Sequence, residues 1–243
     1  MKRLLITGGG GKLASELIKA DNGKHKIFAP NKIEMDITSI DSVKTYLQNS
    51  HPDIVIHAGA YTKPMKKHED HPEISVETNI IGTANVVLGC MSVGCKLVYI
   101  STDYVYPGTE GGYDESSPLS PYVGNDDGIT KYGWSKLGGE CAVRIYNGSL
   151  ILRTCISDKP FPHPHAATDI RKSILYNDDA ASLILQLLDE EGVINVGGKA
   201  QSVYDFAKQD SPEIGRIRST EISDVKIAPD TTMNVKKLKG LIQ

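Results

Sequence analysis

Several features that would assign a protein to a membrane, a nucleic acid or the secretory route are missing from this sequence. No apolar run approaches the ~18 residues of a membrane-spanning helix, so we expect no membrane association. The formal net charge of -3 provides no basic footprint for nucleic acid. Glycines interrupt the short apolar run after the N-terminus, whereas a secretory signal needs a longer apolar core. The sequence therefore predicts a cytoplasmic protein.

Cysteine and histidine are too sparse for a disulfide framework or a metal centre. The four cysteines stand in apolar contexts without C-x-x-C spacing, which predicts reduced thiols that pack in the core: Cys90, Cys95, Cys141 and Cys155. The densest histidine stretch, residues 161–165, is interrupted by prolines, as in an extended loop, and lacks further ligands nearby. We therefore predict no metal site.

Apolar strand-like runs alternate with amphipathic helical patterns over the first 155 residues. This alternation predicts an α/β fold, a Rossmann-like doubly wound parallel sheet with right-handed crossovers. We assign residues 1–155 to a dinucleotide-binding domain, to which 173–196 return. The remaining segments, 156–172 and 197–243, are expected to form a small interleaved substrate lobe.

A glycine-rich turn follows the first predicted strand, residues 2–7, and precedes a helical pattern. Strand, glycine turn and helix are the context that a dinucleotide fingerprint requires. Gly8 would allow the tight turn and Gly11 the approach of a pyrophosphate, while Ala14 takes the place of a third glycine. The alternative is an ordinary glycine turn. The cofactor-binding residues predicted here are Gly8, Gly10, Gly11, Lys12 and Leu13.

The second predicted strand, residues 25–29, indicates which nicotinamide cofactor is bound. NAD-binding proteins often carry an acidic residue at its end, but this chain has Pro30, Asn31 and Lys32. Lys32 and Lys12 could instead pair with a 2′-phosphate, or they could be solvated surface lysines. We predict NADPH as cofactor, with NADH as the alternative.

The third predicted strand, residues 53–57, ends in small residues that would let a ligand lie against the backbone: Ala58, Gly59 and Ala60. A polar loop at 61–72 would border this crevice, and a helix is predicted over 75–90. Asn79 lies inside that helix, where asparagine is unfavourable by propensity. It could bond the backbone or take part in a proton relay.

The fourth predicted strand ends in Ser101, Thr102 and Asp103, at the edge that faces the ligand crevice. A hydroxyl there could bond a substrate carbonyl or satisfy the strand-end backbone. Tyr132 and Lys136 are four residues apart and would share a helix face. A nearby ammonium would lower the pKa of the phenol from about 10 toward neutrality, although an ordinary amphipathic helix could show the same spacing.

Five ordered motifs carry a family resemblance. They are T-G-G-G-G-K-L-A (7–14), D-I-T (36–38), H-A-G-A-Y-T (57–62), S-T-D-Y-V-Y (101–106) and Y-G-W-S-K-L-G-G-E (132–140). Together they make the chain resemble an extended short-chain dehydrogenase/reductase. More narrowly, the chain is similar to the dTDP-4-dehydrorhamnose reductase branch, which acts on nucleotide sugars.

The resemblance implies roles for the matching positions. Thr102, Tyr132 and Lys136 would be catalytic. Further cofactor contacts would come from Lys32, Asp36, Ile37, Ala58, Gly59, Ala60, Asn79, Tyr132 and Lys136. Substrate contacts would come from Thr62, Lys63, Asp103, Tyr104, Tyr106 and Arg153. A nucleotide sugar is the implied substrate and a homodimer the implied assembly.

The residue after Ser-Thr-Asp separates the branches of this superfamily. Sugar-nucleotide dehydratases typically carry glutamate there, whereas this chain has Tyr104, which favours a reductase. Two departures concern the substrate: an extra run at 123–131, and residues 228–234 without the arginine of relatives. The alternatives are an epimerase or dehydratase with tightly held NAD, and a non-catalytic NADP-binding subunit like the regulatory subunit of methionine adenosyltransferase.

Overall fold

The computed structural model describes residues 1–120, 130–222 and 227–242. Most of the extra run at 123–131 lies outside these residues. The strands of the described chain are β1 (Arg3–Thr7), β2 (Lys26–Phe28), β3 (Ile54–His57), β4 (Lys96–Thr102), β5 (Leu150–Thr154), β6 (Ile156–Ser157), β7 (His165–Ala167), β8 (Arg171–Lys172), β9 (Leu175–Tyr176), β10 (Gly192–Val196), β11 (Gln201–Ser202) and β12 (Gly215–Ile217).

The helices of the described chain are α1 (Lys12–Asp21), α2 (Ile40–Ser50), α3 (Met65–Asp70), α4 (Pro72–Ser75), α5 (Gly82–Val93), α6 (Lys131–Arg144), α7 (Asn177–Gln186), α8 (Val203–Ala207) and α9 (Lys236–Leu241). Short 3₁₀ turns cover Asp103–Val105 and Ser219–Glu221, and a π-helical segment covers Val76–Ile81.

Six parallel strands form the main sheet in the order β10-β5-β4-β3-β1-β2. The strands β1, β3, β4 and β5 are buried almost throughout, because helices cover both faces and leave only apolar runs inside. Helices α1 and α7 pack together, as do α2 with α5 and α5 with α6. The α/β prediction of a doubly wound parallel sheet is confirmed.

The D-I-T motif at residues 36–38 forms a turn and not a strand. The Asp36 carboxylate instead accepts hydrogen bonds from the backbone and hydroxyl of Thr38, at 3.0 and 2.8 Å, which holds a turn. Ser39 then caps α2 by accepting from the Ser42 backbone amide. Local side-chain bonds therefore shape the chain between β2 and α2.

Residues Pro72–Val93 form one continuous 22-residue helix with a mean hydropathy of 1.3 over its most apolar window. Length and composition alone would allow this helix to cross a membrane. Half of that window is buried inside the protein. The buried residues Val86, Val87 and Cys90 join a core cluster with the main sheet, which is the arrangement of a core helix.

The short strands form a lobe beside the carboxyl ends of β4 and β5. They pair as β6 with β9, β7 with β12, and β8 with β11. This lobe has its own apolar cluster, which includes Tyr106, Tyr113, Tyr176 and Phe206. Residues 192–196 form β10, which belongs to the main sheet. The boundaries of the dinucleotide-binding domain and the lobe stay a prediction.

All four cysteines are free. Three of them are buried, as expected of packing thiols. Cys141 is exposed on α6, so the prediction was wrong for this residue. An amphipathic helix has an outer face, and position 141 falls on it.

Candidate active site

The ends of β1 and β3 approach each other closely at two glycines. Gly8 has a φ of +71°, which favours glycine. A Cβ on Gly8 would lie 2.8 Å from the Gly59 Cα, and one on Gly59 would lie 2.9 Å from the Thr7 Oγ1. The chain order reverses between these strands, since β1 continues to β2 on one side and β3 to β4 on the other. This topological switch point is where open α/β sheets bind their ligands.

The remaining glycines of the turn divide into packed and open positions. A Cβ on Gly9 would lie 1.9 Å from the Ala29 carbonyl oxygen, so Gly9 is the glycine that packing requires. This role of Gly9 was not predicted from the sequence. A Cβ on Gly10 would meet no atom within 4 Å, and α1 begins after Gly11 without a side-chain cap. The amides at the start of α1 are therefore suited to an anion.

The two lysines predicted to bind a 2′-phosphate lie on the surface. Lys12 Nζ is 2.6 Å from Asp158 Oδ2, an acceptor that the lobe supplies. Lys32 is exposed and close enough to Asp36 to favour its ionised form. Burial raises the pKa of Asp36, but the hydrogen bonds from Thr38 outweigh it, so that this pKa is lowered. Leu13, Asp36 and Ile37 are half-buried along the same edge.

Asn79 holds the loop that follows β3. Its Oδ1 accepts from the Tyr61 amide at 2.8 Å, while its Nδ2 donates to the Tyr61 carbonyl at 2.9 Å and to Ser135 Oγ at 2.9 Å. Two roles were predicted for Asn79, bonding to the backbone or a part in a proton relay, and the structure shows the bonds to the backbone. Asn79 lies in the π-helical segment, a feature often found near functional sites. Thr62 and Lys63, predicted to bind substrate, follow in this loop and are exposed.

The end of β4 places Thr102 beside Asp103, as predicted. The Thr102 hydroxyl donates to Asp103 Oδ1 at 3.1 Å and accepts from the Tyr104 amide at 3.3 Å. Asp103 is itself buried and forms an ion pair with Lys172, Nζ to Oδ2 2.8 Å. The Asp103 carboxylate therefore contacts the lobe and not solvent.

Tyr132 lies against the end of β4. Its ring packs edge-on to Tyr104, with centroids 5.8 Å apart, and the His68 ring is 5.1 Å away on another side. Burial raises the pKa of Tyr132, while a hydrogen bond with Thr102 opposes the rise and the Asp103 carboxylate adds to it. The prediction that Lys136 lowers this pKa was wrong, because burial dominates. At neutral pH the phenol is protonated.

Lys136 shares a helix with Tyr132, but its ammonium points elsewhere. Nζ lies 4.1 Å from the centroid of the Tyr99 ring, and the residue is 3% exposed. Burial lowers the pKa of Lys136 to about 7, against the opposing effect of Glu140. The site therefore contains a buried amine that titrates near neutrality.

Two residues predicted to bind substrate lie in the interior. The side chain of Arg153 has no exposed surface and forms two bonds to Glu140, Nε to Oε1 at 3.1 Å and Nη2 to Oε2 at 2.9 Å. The Tyr106 hydroxyl accepts from Arg153 Nη1 at 2.9 Å and donates to Asn195 Oδ1 at 2.7 Å. We correct both predictions. The buried charge of Arg153 needs a partner, which is Glu140. The Tyr106 hydroxyl is bonded to Arg153 and Asn195.

Three residues at the site were not predicted from the sequence: His68, Lys172 and Glu140. Glu140 closes the Y-G-x-S-K-x-x-G-E motif, and its spacing from Lys136 could have indicated a shared helix face. The polar partners of Lys172 are 59 and 69 residues away in the chain, and His68 reaches Tyr132 only through the fold, so neither residue had a local pattern that indicated the site. Of the described residues, no group of three or more His, Cys, Asp or Glu could hold a metal ion.

Fold and site together define an oxidoreductase of the extended short-chain dehydrogenase/reductase class. The family model of the RmlD substrate binding domain matches residues 1–156, and the chain belongs to this family.

The chain is similar to several named relatives. A dTDP-4-dehydrorhamnose reductase from Aggregatibacter actinomycetemcomitans is 29% identical over 239 residues, which are 85% of this chain and 77% of the relative. A crystal structure of dTDP-4-dehydrorhamnose reductase from Bacillus anthracis in complex with NADP has a TM-score of 0.85 at 27% identity. The matched region covers 98% of this chain and 91% of the Bacillus anthracis chain. The methionine adenosyltransferase 2 subunit beta of Xenopus tropicalis is 31% identical over 161 residues, 63% of this chain and 46% of that subunit.

Proposed function

We propose that this protein reduces the C4 keto group of a 4-keto-6-deoxy nucleotide sugar with NADPH. The observation that carries the proposal is the convergence of Thr102 and Tyr132 at the carboxyl end of β4, beside the switch point at Gly8 and Gly59. The names of the reductase relatives and the NADP complex of the Bacillus anthracis protein support it.

The residues at the switch point fit a dinucleotide. The open Gly10 and the uncapped start of α1 would hold the pyrophosphate, and Lys12 and Lys32 the 2′-phosphate. Asp36 and Ile37 would border the adenine. The residues Ala58, Gly59 and Ala60 would line the ribose, with Asn79 holding the adjoining loop and Lys136 bonding the nicotinamide ribose. A bound NADPH would supply the hydride.

The raised pKa of Tyr132 suits the reductive direction. A reductase needs a proton donor for the forming alkoxide, and a phenol that stays protonated at neutral pH provides one. The Thr102 hydroxyl would bond the carbonyl oxygen and orient the sugar. Thr62 and Lys63 on the exposed loop would contact the nucleotide sugar. The site has no glutamate after Asp103 to assist water elimination, since Tyr104 occupies that position.

The test is NADPH oxidation, followed by loss of absorbance, with dTDP- and UDP-4-keto-6-deoxyglucose, each with and without a 3,5-epimerase. Turnover by the wild-type protein would establish the reductase and identify the nucleotide. Dependence on the epimerase would show that the protein requires the already inverted sugar.

Tyr132→Phe is expected to lower kcat by about 10²- to 10⁴-fold while NADPH still binds. Tyr204→Phe is the matched control, because Tyr204 lies on α8 in the lobe and pairs with Arg216. Unchanged turnover in Tyr132→Phe would remove the proposed proton donor.

A non-catalytic role as a binding subunit is the second candidate. The similarity to the beta subunit of methionine adenosyltransferase 2 favours it. Tight NADPH binding without turnover of any keto sugar, together with stable co-elution with a larger enzyme, would support it. An epimerase would instead convert the sugar without net oxidation of NADPH.

A further inference from the structure

A buried ion pair joins the lobe to the catalytic edge of the sheet. Asp103 follows β4, and Lys172 belongs to β8 in the lobe, 69 residues further along the chain. Lys172 Nζ lies 2.8 Å from Asp103 Oδ2 and 2.9 Å from Thr231 Oγ1, and Thr231 in turn donates to the same carboxylate oxygen. Asp103 is 1% exposed and Lys172 7%. Solvent therefore does not screen this pair as it would a surface pair.

The same ammonium also fixes an aromatic ring of the site. Lys172 Nζ lies 4.0 Å from the centroid of the Tyr104 ring, a cation–π distance. Tyr104 is the ring that packs edge-on against Tyr132. Lys172 is thus connected to Tyr132 through one intervening side chain.

The carboxylate connects Lys172 to the other proposed catalytic residue. The other carboxylate oxygen of Asp103, Oδ1, accepts a hydrogen bond from the Thr102 hydroxyl. Burial alone would lower the pKa of Lys172, but Asp103 outweighs it and raises this pKa, so the lysine is charged. Without that charge, Asp103 would be a buried carboxylate held by neutral hydroxyls next to Thr102 and Tyr104. Such a group takes up a proton, moves or rearranges its neighbours.

We propose that Lys172 is a positioning residue that holds Thr102, through Asp103, and Tyr132, through Tyr104, in the geometry for carbonyl reduction. The lobe would thus complete the site from outside the sheet. This inference rests on the proposed reductase function.

The experiment compares Lys172→Met with Arg171→Met. Both remove one positive charge from β8, but Arg171 is about half exposed and pairs with Asp230 at 3.3 Å. Lys172→Met is expected to lower kcat about 10- to 100-fold with the Kd of NADPH unchanged, because a misplacement near 1 Å can have that effect. Arg171→Met is expected to keep wild-type kcat.

A second comparison separates positioning from packing. Asp103→Asn in the Lys172→Met background removes the unpaired charge, so the double variant should recover at least about threefold in kcat. A packing role for Lys172 alone would give no recovery. Equal kcat in Lys172→Met and the wild type would overturn the inference while the reductase stands.

The Thr231→Val variant and the wild-type protein provide two further tests. If Lys172→Met does not fold, Thr231→Val removes one bond from the same carboxylate oxygen at nearly constant shape, and it should lower kcat without changing the Kd of NADPH. Wild-type kcat in that variant would overturn the inference. Absence of turnover by the wild-type protein on any keto sugar would overturn the proposed function and this inference with it.

Discussion

Two buried ion pairs flank the end of β4, and they connect different parts of the molecule. Glu140 and Arg153 belong to α6 and β5, and Ser101 donates to the same carboxylate at 2.6 Å. Asp103 and Lys172 belong to the edge of the sheet and to the lobe. Adjacent residues of β4 therefore contact different pairs, since Ser101 bonds Glu140 and Thr102 bonds Asp103.

The difference indicates what each pair contributes. Glu140–Arg153 lies wholly inside the sheet domain and ties the helix that carries Tyr132 to the strand beneath it. Its main contribution should be to folding stability. Asp103–Lys172 joins two regions that must align around a substrate, so its main contribution should be to turnover. Changes to each pair can test this division.

Arg153→Met should have the largest effect on stability. It leaves the buried Glu140 carboxylate with only the half-exposed Arg144 guanidinium, 3.8 Å away, as a cation. Removing one partner of a buried pair costs about 3–5 kcal/mol in the free energy of unfolding. Chemical denaturation followed by circular dichroism measures the change.

Arg144→Met is the matched control for Arg153→Met, because Arg144 approaches the same carboxylate at 3.8 Å from the surface, where its side chain is 47% exposed. Its loss should cost less than about 1 kcal/mol. The double variant Glu140→Leu/Arg153→Met should regain much of the stability, since it contains no unpaired charge. Equal effects of the two arginine variants would contradict the division between the pairs.

Lys136→Met should produce a pH-dependent change in stability. The pKa of Lys136 is about 7 in the folded protein, against an ordinary value of 10.5. Between these values the unfolded chain binds more protons, so the free energy of unfolding of the wild type rises with pH. From pH 7 to 9 the wild type should gain about 2–3 kcal/mol relative to Lys136→Met.

Urea denaturation at the two pH values measures this difference without bound cofactor. Lys131→Met is the control on the same helix, since the Lys131 side chain is 43% exposed and its loss should not alter the pH dependence. A pH-independent difference between the wild type and Lys136→Met would show that the lysine is not buried as the structure has it.

The sheet and its ligand edge could be predicted because their signals are local. Apolar runs marked β1, β3, β4 and β5, and the residues after each run identified the strand ends that face the crevice. The glycine turn was recognisable from its order between strand and helix. Gly9 was overlooked because its constraint comes from the Ala29 carbonyl, just after β2 and distant in the sequence.

Charges at strand ends were harder to interpret. The family resemblance implied a substrate contact for Arg153, at the end of a buried strand, yet Glu140 thirteen residues earlier satisfies its charge. Lys172 gave no signal, because its partner lies 69 residues away. The pKa of Tyr132 was misjudged for a related reason: spacing along a helix predicts a shared face but neither burial nor the direction of an ammonium.

Ser101→Ala should have the smallest effect and should distinguish the two pairs most sharply. It removes one hydrogen bond to Glu140 and leaves both bonds from Arg153, so the free energy of unfolding should fall by about 1–2 kcal/mol. Because Thr102 bonds the other pair, kcat should stay within about twofold of the wild type. Ser182→Ala, on the exposed side of α7, is the control and should change stability by less than about 0.5 kcal/mol. A large fall in kcat for Ser101→Ala would mean that the Glu140–Arg153 pair also sets the geometry of Thr102, and the two pairs would then act as one network.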